Sequence, residues 1–181
     1  MAPSGTRAAR AIVAGMARLE SALAPVMFAL LPALGCGGDP VDVSGEYTLT
    51  LTNGDNGCQF ENWVEGEVTT NVSLLIEQDG DSVTASVGGA AALVLDVLLG
   101  SSVFRGEVDG SHLQLTLHGT DRTVEQCTFF VDGVVHAEVD GDVITGVIEY
   151  RPATNGNVAC GVLNDCVTSQ QFNGTRPPSG D

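Results

Sequence analysis

The sequence predicts an all-β protein, an antiparallel up-and-down meander of about eight strands closed into a small barrel, with a β-sandwich of the same strands as the alternative. Three observations carry this. Runs of alternating apolar and polar residues fill the chain from Gly45 onward. The motif Glu-x-(Asp)-Gly recurs as Glu77-Gln78-Asp79-Gly80, Glu107-Val108-Asp109-Gly110 and Glu138-Val139-Asp140-Gly141. Each copy sits between two such runs, and Asp-Gly in that setting is the strongest short-range signal for a two-residue hairpin. The run count is near eight, and closure removes the edges that such a meander would expose.

Register follows from the turns. With Asp-Gly as the two central residues, Gln78 is expected to face Asp81, Val108 to face Ser111 and Val139 to face Asp142. Ile76 then faces Val83, Gly106 faces Leu113, and Ala137 faces Ile144. The same register sets Glu107 opposite His112. In all three hairpins the inward sets are apolar, and the outward sets hold Glu77, Arg105, Glu107, Gln114, His136 and Thr145. An antiparallel sheet wrapped around one core has this two-faced pattern. Small residues oppose large ones (Ala85 and Leu74, Gly106 and Leu113, Gly133 and Ile148), which predicts a volume-compensated interior.

Taken in order, the first strand is Gly45–Thr52, with Tyr47, Leu49 and Leu51 on one side. A loop through Cys58, Phe60 and Trp63 leads to a second strand near Glu67–Gln78. The last strand is expected over Cys166–Arg176, with Phe172 inward. The hairpins share one end of the meander, and the first strand starts there. The longer loops, 53–65, 88–101, 119–122 and 151–164, lie at the opposite end. Residues 89–100 are nearly all apolar without a period of two. They admit three readings: an extra strand, a helical plug or an exposed contact patch.

The first 35 residues differ from the rest. Arg7, Arg10 and Arg18 precede an apolar run from Ser21 to Leu34 that ends in Gly35-Cys36. A basic start, a short apolar middle and a small-residue exit describe a secretory signal, too short for a membrane span of about 20 apolar residues. The domain plan is a signal peptide over 1–35, a lipidated tether over 36–44, the barrel over 45–176 and a tail over 177–181. Ala33-Leu34-Gly35-Cys36 resembles a bacterial lipobox, which implies lipidation of Cys36. Of the five cysteines, Cys36 is then the odd one, leaving Cys58, Cys127, Cys160 and Cys166 as an even set for an oxidising compartment. Four cysteines allow three connectivities. Cys160–Cys166 with Cys58–Cys127 is the expected pairing, and sequence alone does not decide it.

Gly45-Glu46-Tyr47 at the start of the meander and Arg176 at its end resemble the lipocalin-like (calycin) barrels, in particular small bacterial lipoproteins of that type. Tyr47 stands where lipocalins carry Trp. The resemblance implies that Arg176 packs over Tyr47.

Removing the first 35 of 181 residues leaves 146, one domain, with 22 acidic residues against four arginines, a net charge of −18 and no lysine. Nucleic acid is not an expected partner, because it demands positive charge. The chain has no Gly-x-Ser-x-Gly, no phosphate loop, no Cys-x-x-Cys and no pair of His at metal-ligand spacing. No catalytic residue, metal or cofactor is therefore expected. The expected function is a non-enzymatic, extracytoplasmic lipoprotein, tied to the membrane through its lipid. Its ligand is a small apolar molecule at the barrel mouth, with Phe60, Trp63, Leu95 and Leu98 as candidate contacts. The alternative is a structural or protein-interaction lipoprotein with a filled barrel and a contact surface at residues 90–99 and the Trp63 loop. Burial statistics favour Phe60 and Trp63 as an inward-folded cap. The expected address is the bacterial envelope, at the outer membrane.

Overall fold

A computed structural model describes residues Pro40–Pro178. The predicted signal segment and Cys36 lie outside the described residues. The chain forms β1 (Gly45–Asn56), β2 (Val68–Asp79), β3 (Ser82–Val87), α1 (Gly89–Leu98), β4 (Val103–Asp109) and β5 (His112–Leu117). A three-residue β6 (Arg122–Val124), β7 (Cys127–Asp140), β8 (Val143–Thr154), a 3-10 helix (Val158–Asn164) and β9 (Thr168–Thr175) follow. Each strand pairs antiparallel with its neighbour, β1 pairs β9, and β5 pairs β7, so eight strands close a barrel. The ninth, β6, pairs only with the start of β7. This meander barrel is compatible with a lipocalin-like fold.

All three hairpins are displaced by two from the expected register. Asp79 faces Ser82, Asp109 faces His112, and Asp140 faces Val143. The central turn residues are Gly80-Asp81, Gly110-Ser111 and Gly141-Asp142. Only the glycines have positive φ, at +61°, +58° and +59°. Glycine first with positive φ is the pattern of a type II′ turn. A type I′ turn would force the preceding Asp into the left-handed region as well. The expected Glu107–His112 pair is accordingly absent: Glu107 faces Gln114.

A displacement of two leaves every side chain on its expected face. Small still meets large: Ile76 faces Ala85, Leu115 faces Gly106, Tyr150 faces Gly133 and Phe172 faces Gly146. Ala137 faces Gly146 instead of Ile144, and both are small. The Phe172 ring fills that space: a Cβ at Gly146 would lie 2.6 Å from Phe172 Cζ and 2.8 Å from Ala137 Cβ. The lumen is one continuous buried cluster, including Tyr47, Leu49, Ile76, Phe104, Leu113 and Ile144. Eight strands leave an interior that side chains can fill, and here they do.

The hairpin end is sealed by the chain itself. Val43 is fully buried beneath the barrel, its N–H donating to Gln78 Oε1 at 2.8 Å. Tyr47 donates its hydroxyl to Val43 O at 3.0 Å. Arg176 lies over the Tyr47 ring, 5.6 Å from its centroid, and donates from Nε to Asp142 Oδ1 at 3.2 Å. Its Nη groups reach the carbonyls of Ser44, Asp42 and Gly141. Gly45, at φ +139°, leaves room for this arginine, since a Cβ there would sit 3.2 Å from Arg176 Cδ. Gly45, Tyr47 and Arg176 thus form one device that closes the barrel where β1 begins and β9 ends.

Candidate functional site: the far mouth

The end opposite the hairpins gathers the long loops, both disulfides and α1. The disulfides are Cys58–Cys166 and Cys127–Cys160, which corrects the expected pairing. The reason is strand adjacency. Strand β1 lies beside β9, so the loop after β1 meets the segment before β9. Strand β7 lies beside β8, whose following 3-10 helix carries Cys160. No pairing joins β1 to β7.

Phe60 and Trp63 are together, as a cap. Their rings meet edge to face with centroids 6.5 Å apart, and Trp63 meets Tyr150 the same way at 5.9 Å. Trp63 Nε1 donates to Gly54 O at 2.9 Å. Asn56 clasps the loop, its Nδ2 donating to Phe60 O and its Oδ1 accepting from Phe60 N. Both aromatics are half-buried against the barrel core. Asn53 accepts from Gln170 Nε2 at 2.7 Å and donates to Val64 O, so the polar residues of this loop are spent on structure.

Beneath the cap, burial pushes the Tyr150 phenol up to about 12. Between pH 10 and 12 the folded protein keeps a proton that the unfolded chain has lost. Stability should therefore fall as pH rises through that window, by about 2 to 3 kcal/mol. Tyr47, also raised by burial, adds in the same direction. Urea unfolding from pH 9 to 11.5 measures the slope. Tyr150→Phe should retain only the part due to Tyr47, and an unchanged slope would assign the titration to another group. This variant also loses the hydrogen bond to Gln170 Oε1, worth about 1 kcal/mol at every pH.

Residues 89–100 resolve as helix α1 plus its cap. Gly88 is its N-cap and Gly89 its first residue, and Gly100 at φ +84° ends it, its N–H donating to Asp96 O at 3.0 Å. A left-handed glycine just past the last turn is a standard helix stop. Leu95 and Ala91 pack inward against the core, and Leu99 is buried. Leu98, seven residues on from Ala91, is at the edge of that face and exposed. With Leu93, Val94 and Val97 it forms an outer face that is 54%, 67%, 56% and 70% exposed, respectively. Of the four candidate contacts, then, Phe60, Trp63 and Leu95 serve packing and Leu98 faces solvent.

An α-helix apolar all round belongs in a protein interior, yet no residue of α1 is fully buried. Sequence reasoning offered residues 90–99 as a contact surface without singling out Leu93, Val94 and Val97. The available signal was the pair of glycine punctuations, which mark a helix of about ten residues. A run apolar except for Asp96 then leaves one side without a partner in a barrel already full.

Beside α1 lies a crevice of about 250 Å³, lined by Asn71, Val72, Ser73, Gly88, Ala91 and Val94 among others. It opens where β2 bulges: the β1–β2 register shifts between Leu49 and Leu51, and Asn71 takes φ +59°. Bulges concentrate at barrel rims and next to functional sites. A second groove, about 830 Å³, lies on the outer wall near the hairpin end, with Glu107, His112 and His136 among its walls.

No protein-family model matches the chain, and no curated protein or solved structure matches it. The geometry stands alone. Among the described residues, no three His, Cys, Asp or Glu side chains are grouped to hold a metal ion. His118 Nδ1 meets Asp132 Oδ1 at 2.7 Å on the surface, and His112 and His136 are exposed on the outer wall. Among the described residues no helix is long and apolar enough to cross a membrane.

Proposed function

We propose that this chain is a non-enzymatic, lipid-anchored protein of the bacterial envelope, at the outer membrane, whose filled barrel is a rigid scaffold for protein interaction at the far mouth. The observation that carries this reading is the exposed apolar face of α1 above a lumen that side chains already occupy. Contiguous exposed apolar surface marks an interaction site more often than an accident of folding. The chain enters the barrel at the hairpin end, where Val41 N–H donates to Gly110 O. A tether at Cys36 therefore holds that end toward the membrane and directs α1 away from it. The net charge of −18 after Gly35 speaks against nucleic acid as a partner.

Two measurements test the reading. Cys36→Ala should move the protein from the membrane fraction to the soluble fraction. Leu93→Glu with Val97→Glu should abolish retention on a hydrophobic-interaction column while shifting Tm by no more than about 2 °C, because both side chains are exposed. Unchanged retention would show that α1 is not the apolar working surface. A second reading, a small apolar ligand at the mouth, is favoured by the crevice between α1 and β2. An adduct of one small molecule per chain in native mass spectrometry, lost in Val94→Glu, would give that reading precedence.

A further inference from the structure

Resting on that interaction reading, we infer the chemistry of the partner: a cationic amphipathic segment of another protein, laid along α1 with one apolar side chain in the crevice beside Val94.

The apolar requirement comes from Leu93, Val94, Val97 and Leu98, which present an exposed ridge next to an open crevice. About 250 Å³ exceeds the roughly 150 Å³ that accepts a benzene ring, so a Leu or Phe side chain fits. Interfaces of this kind place apolar contacts centrally and polar groups at the rim. Three carboxylates stand on α1 or next to segments that touch it. Glu67 lies just before the β2 segment that lines the crevice, Asp96 is on the helix, and Asp121 adjoins the loop that hydrogen-bonds its C-terminal end through Thr120 N–H to Leu99 O. All three carboxylates are exposed.

Positive charge is sparse here: of the four arginines after Gly35, Arg105 is exposed on the outer face of β4, and Arg122, which keeps its charge, is next in the chain to Asp121. The Arg122 guanidinium donates to Val97 O, and Arg151 is paired with Glu149 at 2.5 Å. Arg176 is at the opposite end, closing the barrel over Tyr47. An apolar ridge with more carboxylates than arginines about it selects a partner with Lys or Arg flanking an apolar stripe, which is complementary in both terms. The same charge opposes a second copy of this chain, since each copy carries −18 after Gly35. A bilayer, as the other occupant of an exposed apolar helix, lies beyond the opposite end in the anchored orientation.

The test uses the full mature chain with Cys36→Ser in place of the lipid. Fluorescence anisotropy follows three labelled 18-residue peptides: an amphipathic Leu/Lys helix, its scrambled isomer, and an amphipathic Leu/Ser helix without charge. The amphipathic Leu/Lys peptide should bind at least tenfold more tightly than either control. Its affinity should fall about five- to tenfold between 50 and 300 mM NaCl, as expected for exposed charge pairs. Leu93→Glu with Val97→Glu should weaken it at least tenfold. Glu67→Gln with Asp96→Asn and Asp121→Asn should weaken it severalfold and flatten the salt dependence, with Tm held. Equal binding of the scrambled isomer, or no loss in the α1 variant, would reduce the attraction to general acidity and overturn the proposal. If the uncharged helix binds equally and the α1 variant abolishes it, the cationic class fails while the interaction module stands. Dimerisation through α1 in sedimentation equilibrium, or binding of phosphatidylcholine vesicles without the peptide, would replace the partner by a second copy or a membrane and overturn it too.

Discussion

Replacing Cys58 and Cys166 together by Ser should lower the unfolding free energy by about 4 to 5 kcal/mol, the chain-entropy value for a cross-link spanning 108 residues. Cys127–Cys160, spanning 33 residues, should contribute about 1 kcal/mol less. The first bond joins the loop after β1 to the segment before β9, and so reinforces the seam where the two ends of the barrel meet. Its loss lengthens the unfolded chain's freedom at the point where closure is most non-local. Cys58 N–H also donates to the buried Thr168 hydroxyl, which continues to hold the loop when the sulfurs are gone. The variant should therefore fold in the cold and unfold at a much lower urea midpoint. A midpoint shift equal to or smaller than that of the Cys127/Cys160 double variant would contradict the closing role assigned to the first bond. Non-reducing peptide mapping checks the connectivity directly.

Phe172→Ala should convert the scaffold into a binder. Phe172 is buried against Gly146 and Ala137, where no other side chain can expand to replace it. Truncation of a core Phe costs about 3 to 5 kcal/mol, a large share of the 5 to 15 kcal/mol typical of a domain. The void it leaves is apolar and dry, the kind that accepts benzene or xenon. Wild-type protein should show no toluene-dependent rise in Tm, while the variant should show one that saturates. Phe172→Leu, costing about 1 to 2 kcal/mol, serves where the Ala variant does not fold, with a smaller rise expected. Saturable toluene binding by the wild type would mean that the lumen is not full, and the scaffold reading would give way to ligand binding.

How much could be read in advance depends on range. The two-residue period of Tyr47-Leu49-Leu51 and of Leu113-Leu115-Leu117 assigns faces locally, because a strand's alternation is a property of its own backbone. The hairpin turns slid by one residue, and the register by two, without moving a single side chain to the wrong face. The turn type was decided by which residue takes positive φ, a choice between neighbours that Asp-Gly leaves open. The functional residues were harder. Residues 90–99 were legible as an apolar segment that could plug the mouth or stay exposed, but Leu93, Val94 and Val97 are apolar in the same way as Leu95, and only the barrel beneath α1 separates the buried side from the exposed one.

The sequence alone determined the class of fold, the inward and outward sets, the end at which the hairpins gather and the small-against-large filling of the lumen, since each follows from neighbours along one strand or one turn. The tertiary structure alone decided which cysteines meet and which of the three readings of residues 89–100 holds, a helix with an uncovered outer face. Those features depend on β1 lying beside β9 and β5 beside β7. Closure brings together residues more than a hundred positions apart, and no local period records which ones.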